Sequence, residues 1–160
     1  MSIRSDENVP AEMRDGTVLK ADIYRPDDGG RHPVLILRTP YWKLHPRYIK
    51  TARNLAERGY TVICQDMRGR YDSEGEFLWQ FTDNSLTGDA EDGYDTVEWA
   101  AGLSYSDGQV VGGPPGDDDA VAQAGQEPAE HGAGGAGVVE GDRHRRREGA
   151  GHGSKLERVL

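Results

Sequence analysis

The sequence predicts an α/β fold in which a β-hairpin is followed by a βαβ unit. Two short apolar runs, 34–37 and 60–64, are rich in branched side chains, as in strands that are buried on both faces of a sheet. The segment between them has the spacing of an amphipathic helix. Because strand, helix and strand follow one another, we expect the two strands to be parallel, with a right-handed crossover.

The residues before the first apolar run predict the hairpin. Residues 1–12 are polar, and we expect them to be frayed. The Asp15-Gly16 pair within 13–16 is a strong turn signal. Residues 18–24 alternate between apolar and polar side chains, which predicts a half-exposed strand.

The first helix is predicted from residue 46 or 47 to residue 58. Gly59 follows as its C-terminal cap. One face of this helix is apolar and should pack on the sheet; its members are Tyr48, Ala52, Leu55 and Ala56.

A second helix is predicted over residues 89–101, with its acidic residues early, where the helix dipole favours them. Tyr94, Val97 and Ala101 are its predicted inward face, with Trp99 near its end. The Asp-Gly turn at 107–108 then leads into a further strand at 109–111.

The loop at 66–75 is the first candidate for a functional segment. It directly follows the buried strand at 60–64 and is dense in charge and glycine. Polar loops after buried strands are where α/β folds place their active sites. Gly69 and Gly75 permit tight turns, and the alternating acids and bases can pair to hold the loop still.

Three motifs resemble one known family. They are MRDG-x-x-L-x-x-D-x-Y-RP at 13–26, PVLILRTPYWK at 33–43, and QD-x-RG-x-x-x-SEG-x-F at 65–77. In order and spacing they resemble the N-terminal part of the cocaine esterase / Xaa-Pro dipeptidyl-peptidase (peptidase S15, CocE/NonD) family. The resemblance implies an α/β-hydrolase fold and a serine hydrolase that cleaves ester, amide or Xaa-Pro peptide bonds through an acyl-serine intermediate.

The resemblance also implies roles for individual residues. Tyr41 is at the position of the tyrosine whose hydroxyl contributes to the oxyanion hole, where one donor is worth roughly 3–4 kcal/mol of barrier. From the residues alone, packing beside Pro40 is an equal alternative for Tyr41. The supporting loop comprises Asp66, Arg68, Gly69, Ser73, Glu74 and Gly75.

The nucleophile of such an enzyme is missing from its expected place. The resemblance implies G-x-S-Y-x-G directly after the strand at 109–111, because a serine on a sharp strand-to-helix turn presents its hydroxyl to the substrate. The chain instead continues as VVGGPPGDDDAVAQAGQ. Ser104 and Ser106 precede the strand, and we assign them to a loop without a catalytic role. The aspartate and the histidine that the resemblance implies would come later in a full-length chain and are also absent here, so we expect no serine-hydrolase activity from this chain.

The segment after the last strand has an unusual composition. Between 108 and 153 every residue is Gly, Ala, Val, Asp, Glu, Gln, Pro, His or Arg, all of which have codons that start with G or C. A GC-rich gene that is read out of frame gives such a composition. When the reading frame is shifted by one base over residues 115–121, the possible codons can encode Leu-Gly-Met-Thr-Thr-Gln-Trp. We hypothesise a frameshift near 112–115, and a natural disordered linker is the alternative.

These observations divide the chain into two parts. Residues 10–113 are predicted to be the N-terminal part of a truncated α/β-hydrolase domain, and residues 114–160 a disordered tail. The sheet should then have an open edge that makes the protein prone to aggregate. A second hypothesis is a non-catalytic α/β binding module with a flexible acidic tail.

The composition limits the possible binding partners and the cellular location of the protein. A net charge of −9 and a pI near 5.0 argue against nucleic acid and anionic membranes as partners. The short basic run at 143–147 does not change that, and the histidines lack metal-ligand spacing. The one cysteine, Cys64, is expected to be a buried small hydrophobe. We expect a cytoplasmic protein with neither cofactor nor metal, and the resemblance implies a small-molecule ester or peptide substrate for the full-length family.

Overall fold

The computed structural model describes residues 2–78 and 88–112 as one mixed sheet between two helices. The strands are β1 (Ile3–Glu12), β2 (Val18–Pro26), β3 (His32–Thr39), β4 (Thr61–Asp66) and β5 (Ser106–Gly112), and the helices are α1 (Pro46–Ala56) and α2 (Asp89–Ala101). The order across the sheet is β1-β2-β4-β3-β5. The β1/β2 and β2/β4 pairs are antiparallel, and the β4/β3 and β3/β5 pairs are parallel. The predicted hairpin and βαβ unit are confirmed.

The two helices cover opposite faces of the sheet, because alternate residues of each central strand point to opposite sides. Leu35 and Leu37 of β3 pack in the α1 cluster, whereas Val34 and Ile36 pack in the α2 cluster. The predicted inner face of α1 is confirmed residue by residue. Cys64 is buried in the α1 cluster, and burial raises the pKa of its thiol to about 12, so it acts as a small hydrophobe.

Two expectations for the hairpin are wrong. Residues 3–12 are not frayed but form β1, an edge strand whose backbone pairs with β2 and whose Asp6 accepts hydrogen bonds from Arg4 and Arg25. The strand β2 is not half-exposed, because its side chains pack on both faces of the sheet, with Tyr24 in the α1 cluster and Ile23 in the α2 cluster. Its polar residue Asp22 is also buried, and its carboxylate accepts from the N–H of Asn8.

The prediction for the inner face of α2 is also partly wrong. Tyr94 is 55% exposed and packs under the guanidinium of Arg14. The buried positions of α2 are instead Asp92, Thr96 and Ala100. Asp92 accepts from Arg68 and Thr96 donates to Gln65, so polar groups of the sheet and its loops have partners on this helix. Val97, Trp99 and Ala101 do pack partly on the α2 cluster.

Neither of the two helices described is long and apolar enough to cross a membrane. The predicted tail at 114–160 and the frameshift near 112–115 lie, apart from residue 112, outside the described residues.

Candidate active site

The carboxyl ends of β3 and β4 form the edge at which the candidate site lies. Thr39 and Asp66 are paired at the end of the two parallel strands, and the N–H of Met67 donates to the carbonyl of Thr39 at 3.1 Å. The chain leaves β3 into the segment 40–45 and leaves β4 into the segment 67–78. These two segments contact each other, as expected for neighbouring parallel strands that end at the same edge.

Tyr41 lies in the first of these segments and is 55% exposed. Its N–H donates to the hydroxyl oxygen of Thr39 at 3.0 Å, and the carbonyl of the preceding Pro40 accepts from Nε of Arg70 at 2.9 Å. The exposure argues against the alternative in which Tyr41 packs beside Pro40. The peptide group between Pro40 and Tyr41 is thus hydrogen-bonded through both its N–H and its carbonyl, so the exposed side chain of Tyr41 is carried on a fixed segment.

Lys43, two residues later, is fully buried. Its Nζ lies 3.2 Å from Asp66 Oδ2, 2.5 Å from Asp72 Oδ2 and 3.9 Å from Asp22 Oδ1. Its backbone N–H also donates to Asp66 Oδ1 at 2.8 Å. The segment that carries Tyr41 is therefore bound to the end of β4 through both the backbone and the side chain of one residue.

The charges of this cluster are mutually dependent. Burial acts to lower the pKa of Lys43, but the carboxylates of Asp72, Asp66 and Asp22 outweigh it, so the pKa of the lysine is raised. Burial raises the pKa of Asp66, and its bonds to Lys43 only partly oppose this. The charged form of the lysine is thus favoured, and it is paired with a buried carboxylate.

Arg68 links the supporting loop to the hairpin turn and to α2. Its Nε and Nη2 donate to the two carboxylate oxygens of Asp92 at 2.8 and 2.6 Å, and Nη1 contacts Asp15 and Thr17 at 2.9 and 2.7 Å. The hydrogen bond with Asp92 raises the pKa of the guanidinium further. The arginine is a structural link between three segments.

The two glycines of the loop are required by its geometry. Both have positive φ, +66° at Gly69 and +91° at Gly75. A Cβ at Gly69 would lie 2.1 Å from the backbone nitrogen of Phe77, and a Cβ at Gly75 would lie 2.7 Å from Cγ of Arg68. No other residue fits at Gly69 without moving the backbone.

Ser73 and Glu74 complete the attachment of the loop to β2 and β4. The hydroxyl of Ser73 donates to the carbonyl of Asp66 at 2.7 Å and accepts from the N–H of Lys20 at 2.9 Å. Glu74 Oε2 accepts from the N–H of Val18, and the Glu74 carbonyl accepts from the N–H of Gly69. The hydroxyl of Ser73 is buried and committed to the backbone, so this serine is not placed as a nucleophile.

The structure thus brings Tyr41 together with the supporting loop, and adds residues that the sequence analysis did not single out. These are Asp22, Trp42, Lys43 and Asp92, and the structure also gives partners to Arg70 and Asp72, which lie within the predicted loop at 66–75. The PYWK motif contained Lys43, but its burial depends on carboxylates that lie far away in the sequence. Within residues 2–78 and 88–112, no group of His, Cys, Asp and Glu is arranged to hold a metal ion.

Comparisons with known proteins all point to the same family. The family model described as X-Pro dipeptidyl-peptidase (S15 family) matches residues 15–112. Cocaine esterase of Rhodococcus sp. (strain MB1 Bresler) is 40% identical over 107 residues, which are 64% of this chain and 18% of the esterase. The chain therefore spans about a fifth of the length of this relative.

Solved structures show the same similarity. An α-amino acid ester hydrolase matches with a TM-score of 0.55 and 30% identity, over 68% of this chain and 20% of that enzyme. A CocE/NonD family hydrolase from Staphylococcus aureus has the same fold, with a TM-score of 0.57 and 23% identity over 69% of this chain and 22% of its own. With its motifs, its strand order and the match over 15–112, the chain belongs to the X-Pro dipeptidyl-peptidase (S15) family of CocE/NonD hydrolases.

Proposed function

We propose that this chain is the N-terminal part of a serine hydrolase in which the hydroxyl of Tyr41 donates to the oxyanion. The observation that carries the proposal is the position of β5 beside β3. These strands are parallel, with Ile36 opposite Gly112, so the chain leaves β5 at the same edge of the sheet at which Tyr41 follows β3. A nucleophile placed directly after β5 would enter the site next to Tyr41.

The chemistry follows from this arrangement. Attack of a serine on a carbonyl carbon places negative charge on the carbonyl oxygen, and a hydroxyl fixed in advance stabilises that charge without reorganising. The segment around Tyr41 is held by Thr39, by Arg70 through Pro40, and by Lys43. This rigidity is what an oxyanion donor needs.

The substrate class is proposed from the relatives. The names of cocaine esterase and of the α-amino acid ester hydrolase both describe ester cleavage, and the family description names X-Pro dipeptidyl-peptidases. We propose a small-molecule ester as the preferred substrate of the intact enzyme, with amide or Xaa-Pro peptide bonds as the other members of the class.

The chain as written is proposed to lack this activity. The sequence contains no G-x-S-x-G, and β5 is followed by proline, glycine and aspartate instead of the serine turn. A shift of the reading frame near 112–115 accounts for this and for the composition of the residues that follow. Translating the gene in all frames from Tyr105 onwards tests the origin of the missing serine.

Turnover of 4-nitrophenyl acetate tests the function. We expect no turnover by the chain as written and clear turnover by a protein in which a neighbouring frame restores G-x-S-Y-x-G and, later, the aspartate and the histidine that activate the serine. In the restored protein, Tyr41→Phe should lower kcat roughly 10²–10³-fold, whereas Tyr94→Phe, at a tyrosine of equal exposure on α2, should leave it unchanged. Turnover by the chain as written, or an unaffected Tyr41→Phe variant, would overturn the proposal. If no frame encodes the motif, the binding-module hypothesis replaces it.

A further inference from the structure

Three large aromatic side chains are exposed at the edge of the sheet that carries the candidate site. Tyr41 is 55% exposed, Trp42 is 42% exposed and Tyr71 is 54% exposed. The rings of Trp42 and Tyr71 lie side by side, with their centroids 6.3 Å apart and their planes at 33°. Single exposed aromatics are common, but two that contact each other at the carboxyl ends of parallel strands lie where α/β folds bind their ligands.

The backbone at this pair is strained. Trp42 has φ +80° and Tyr71 has φ +47°, and only one other non-glycine residue among those described, Asn8, has a positive φ. Bulky residues avoid this region because their Cβ crowds the backbone. The strained backbone of these two residues is not compensated by burial of their side chains, because both rings remain exposed. Such strain is concentrated at ligand-binding positions.

The surrounding residues hold the pair in this conformation. Lys43, next to Trp42, is buried against Asp66 and Asp72. Arg70, next to Tyr71, donates to the carbonyl of Pro40. The two aromatic residues are thus each adjacent to an anchored residue, and a ligand would meet a preformed surface.

The charge beside the pair limits what can bind. The guanidinium carbon of Arg70 lies 5.0 Å from the ring centroid of Tyr71 and 4.8 Å from that of Phe77. This cation occupies the vicinity of the aromatic faces and would repel a second cation. The surface therefore suits a flat apolar group that is neutral or negatively charged.

We propose that Trp42 and Tyr71 form an aromatic platform that binds an aromatic ring of the substrate next to Tyr41. The platform selects small esters or amides that carry a neutral or anionic aromatic group. The inference rests on the proposed function for its chemistry, since Tyr41 would receive the carbonyl of the same molecule. Ring binding itself needs no turnover, so it is measurable with the chain as written.

Titration of the full chain with methyl phenylacetate, followed through the indole N–H resonance of Trp42, tests the platform. The resonance is assigned by its loss in Trp42→Phe. We expect a saturable shift, and an affinity about threefold or more higher than that of methyl cyclohexylacetate, because stacking requires an aromatic ring. Trp42→Ala and Tyr71→Ala should each weaken binding of the aromatic ester, as measured by calorimetry, while Trp42→Phe retains most of it.

Two controls separate the possible outcomes. Tyr94→Ala removes an equally exposed tyrosine on α2 and should not change the affinity, and circular dichroism verifies that each variant is folded. The measurement follows binding of the ring and requires no turnover, so a wrong oxyanion assignment for Tyr41 does not affect this test. Equal affinity for the two esters, no saturable shift, or unchanged binding in both alanine variants would overturn the platform.

Discussion

Trp42 and Lys43 are neighbours in the chain with environments opposite to those their chemistry favours. The indole is substantially exposed, whereas the ammonium group is fully buried. Burial of Lys43 is possible because Asp66, Asp72 and Asp22 surround its Nζ. A buried ammonium group requires carboxylates beside it, and the buried carboxylates require the ammonium group for the same reason.

Lys43→Met is therefore expected to destabilise the protein strongly. The variant leaves Asp66 and Asp22 buried without their cation, a change that typically costs about 3–5 kcal/mol. Urea unfolding followed by circular dichroism measures the loss. Lys50→Met, at an exposed lysine of α1, is the matched control and should change the free energy of unfolding little. A loss of less than about 1 kcal/mol in Lys43→Met would mean that the pairs contribute only as surface ion pairs do.

Single residues with long-range partners are what the sequence could not predict. Lys43 was expected only as part of a motif, because its three carboxylates come from β2, β4 and the following loop. Tyr94 was expected inside because apolar spacing cannot show that Asp92 occupies the inner face for Arg68. Gly69 and Gly75 could be predicted, since a glycine between charged residues already indicates a tight turn.

At the scale of elements, α2 is attached to the sheet and its loops by ion pairs as well as by apolar packing. Asp89, Asp92 and Asp95 are spaced three residues apart and so lie along one side of the helix. Each pairs with an arginine from a different segment: Arg38 at the end of β3, Arg68 after β4 and Arg14 in the hairpin turn. The helix thus ties together the segments that flank the site.

The pair of Asp95 with Arg14 predicts a pH dependence of stability. Hydrogen bonding to Arg14 lowers the pKa of Asp95 below its ordinary value of 3.8. Because the folded state binds this proton more weakly than the unfolded chain, the pair stabilises the fold above that ordinary value, and its contribution is lost as the pH falls further. Asp95→Asn should cost about 0.5–1 kcal/mol at pH 7, and the difference from the parent should shrink by pH 2.

Chemical denaturation at both pH values measures this effect. Glu91→Gln, at an exposed acid of the same helix, controls for the loss of one negative charge near the helix N-terminus. If the Asp95→Asn difference were as large at pH 2 as at pH 7, the destabilisation would come from packing and not from the ion pair.

Elements differed in how far the sequence predicted them. The helix α1 was predicted with its buried face, because its apolar spacing is complete within one segment. The bounds of α2 were predicted from its early acids and from Gly102. The strand β1 was missed because it is a polar edge strand, stabilised by backbone pairing with β2 that leaves little trace in its own sequence.

At the scale of the whole molecule, the strand order decides where the site lies. The parallel strands β4, β3 and β5 end at the same edge of the sheet. The helix α2 precedes β5 in the chain and packs on the face of the sheet opposite to α1. This order places the segment of Tyr41 between the supporting loop and the end of β5. The same order leaves β5 at the side of the sheet, where within the described residues it pairs with β3 alone.

The position of β5 predicts self-association. An edge strand presents unpaired N–H and C=O groups that can pair with the same edge of a second copy. We expect sedimentation equilibrium to show concentration-dependent association of the chain. Gln109→Lys places a charge at an exposed position of this edge and should weaken the association several-fold.

Asn54→Lys makes the same charge change at an exposed position of α1 and should not weaken the association. Equal effects of the two variants would therefore indicate that only the net charge matters. A chain that stays monomeric at every concentration would show that the edge of β5 is protected, and the expectation of an open sheet would then be wrong.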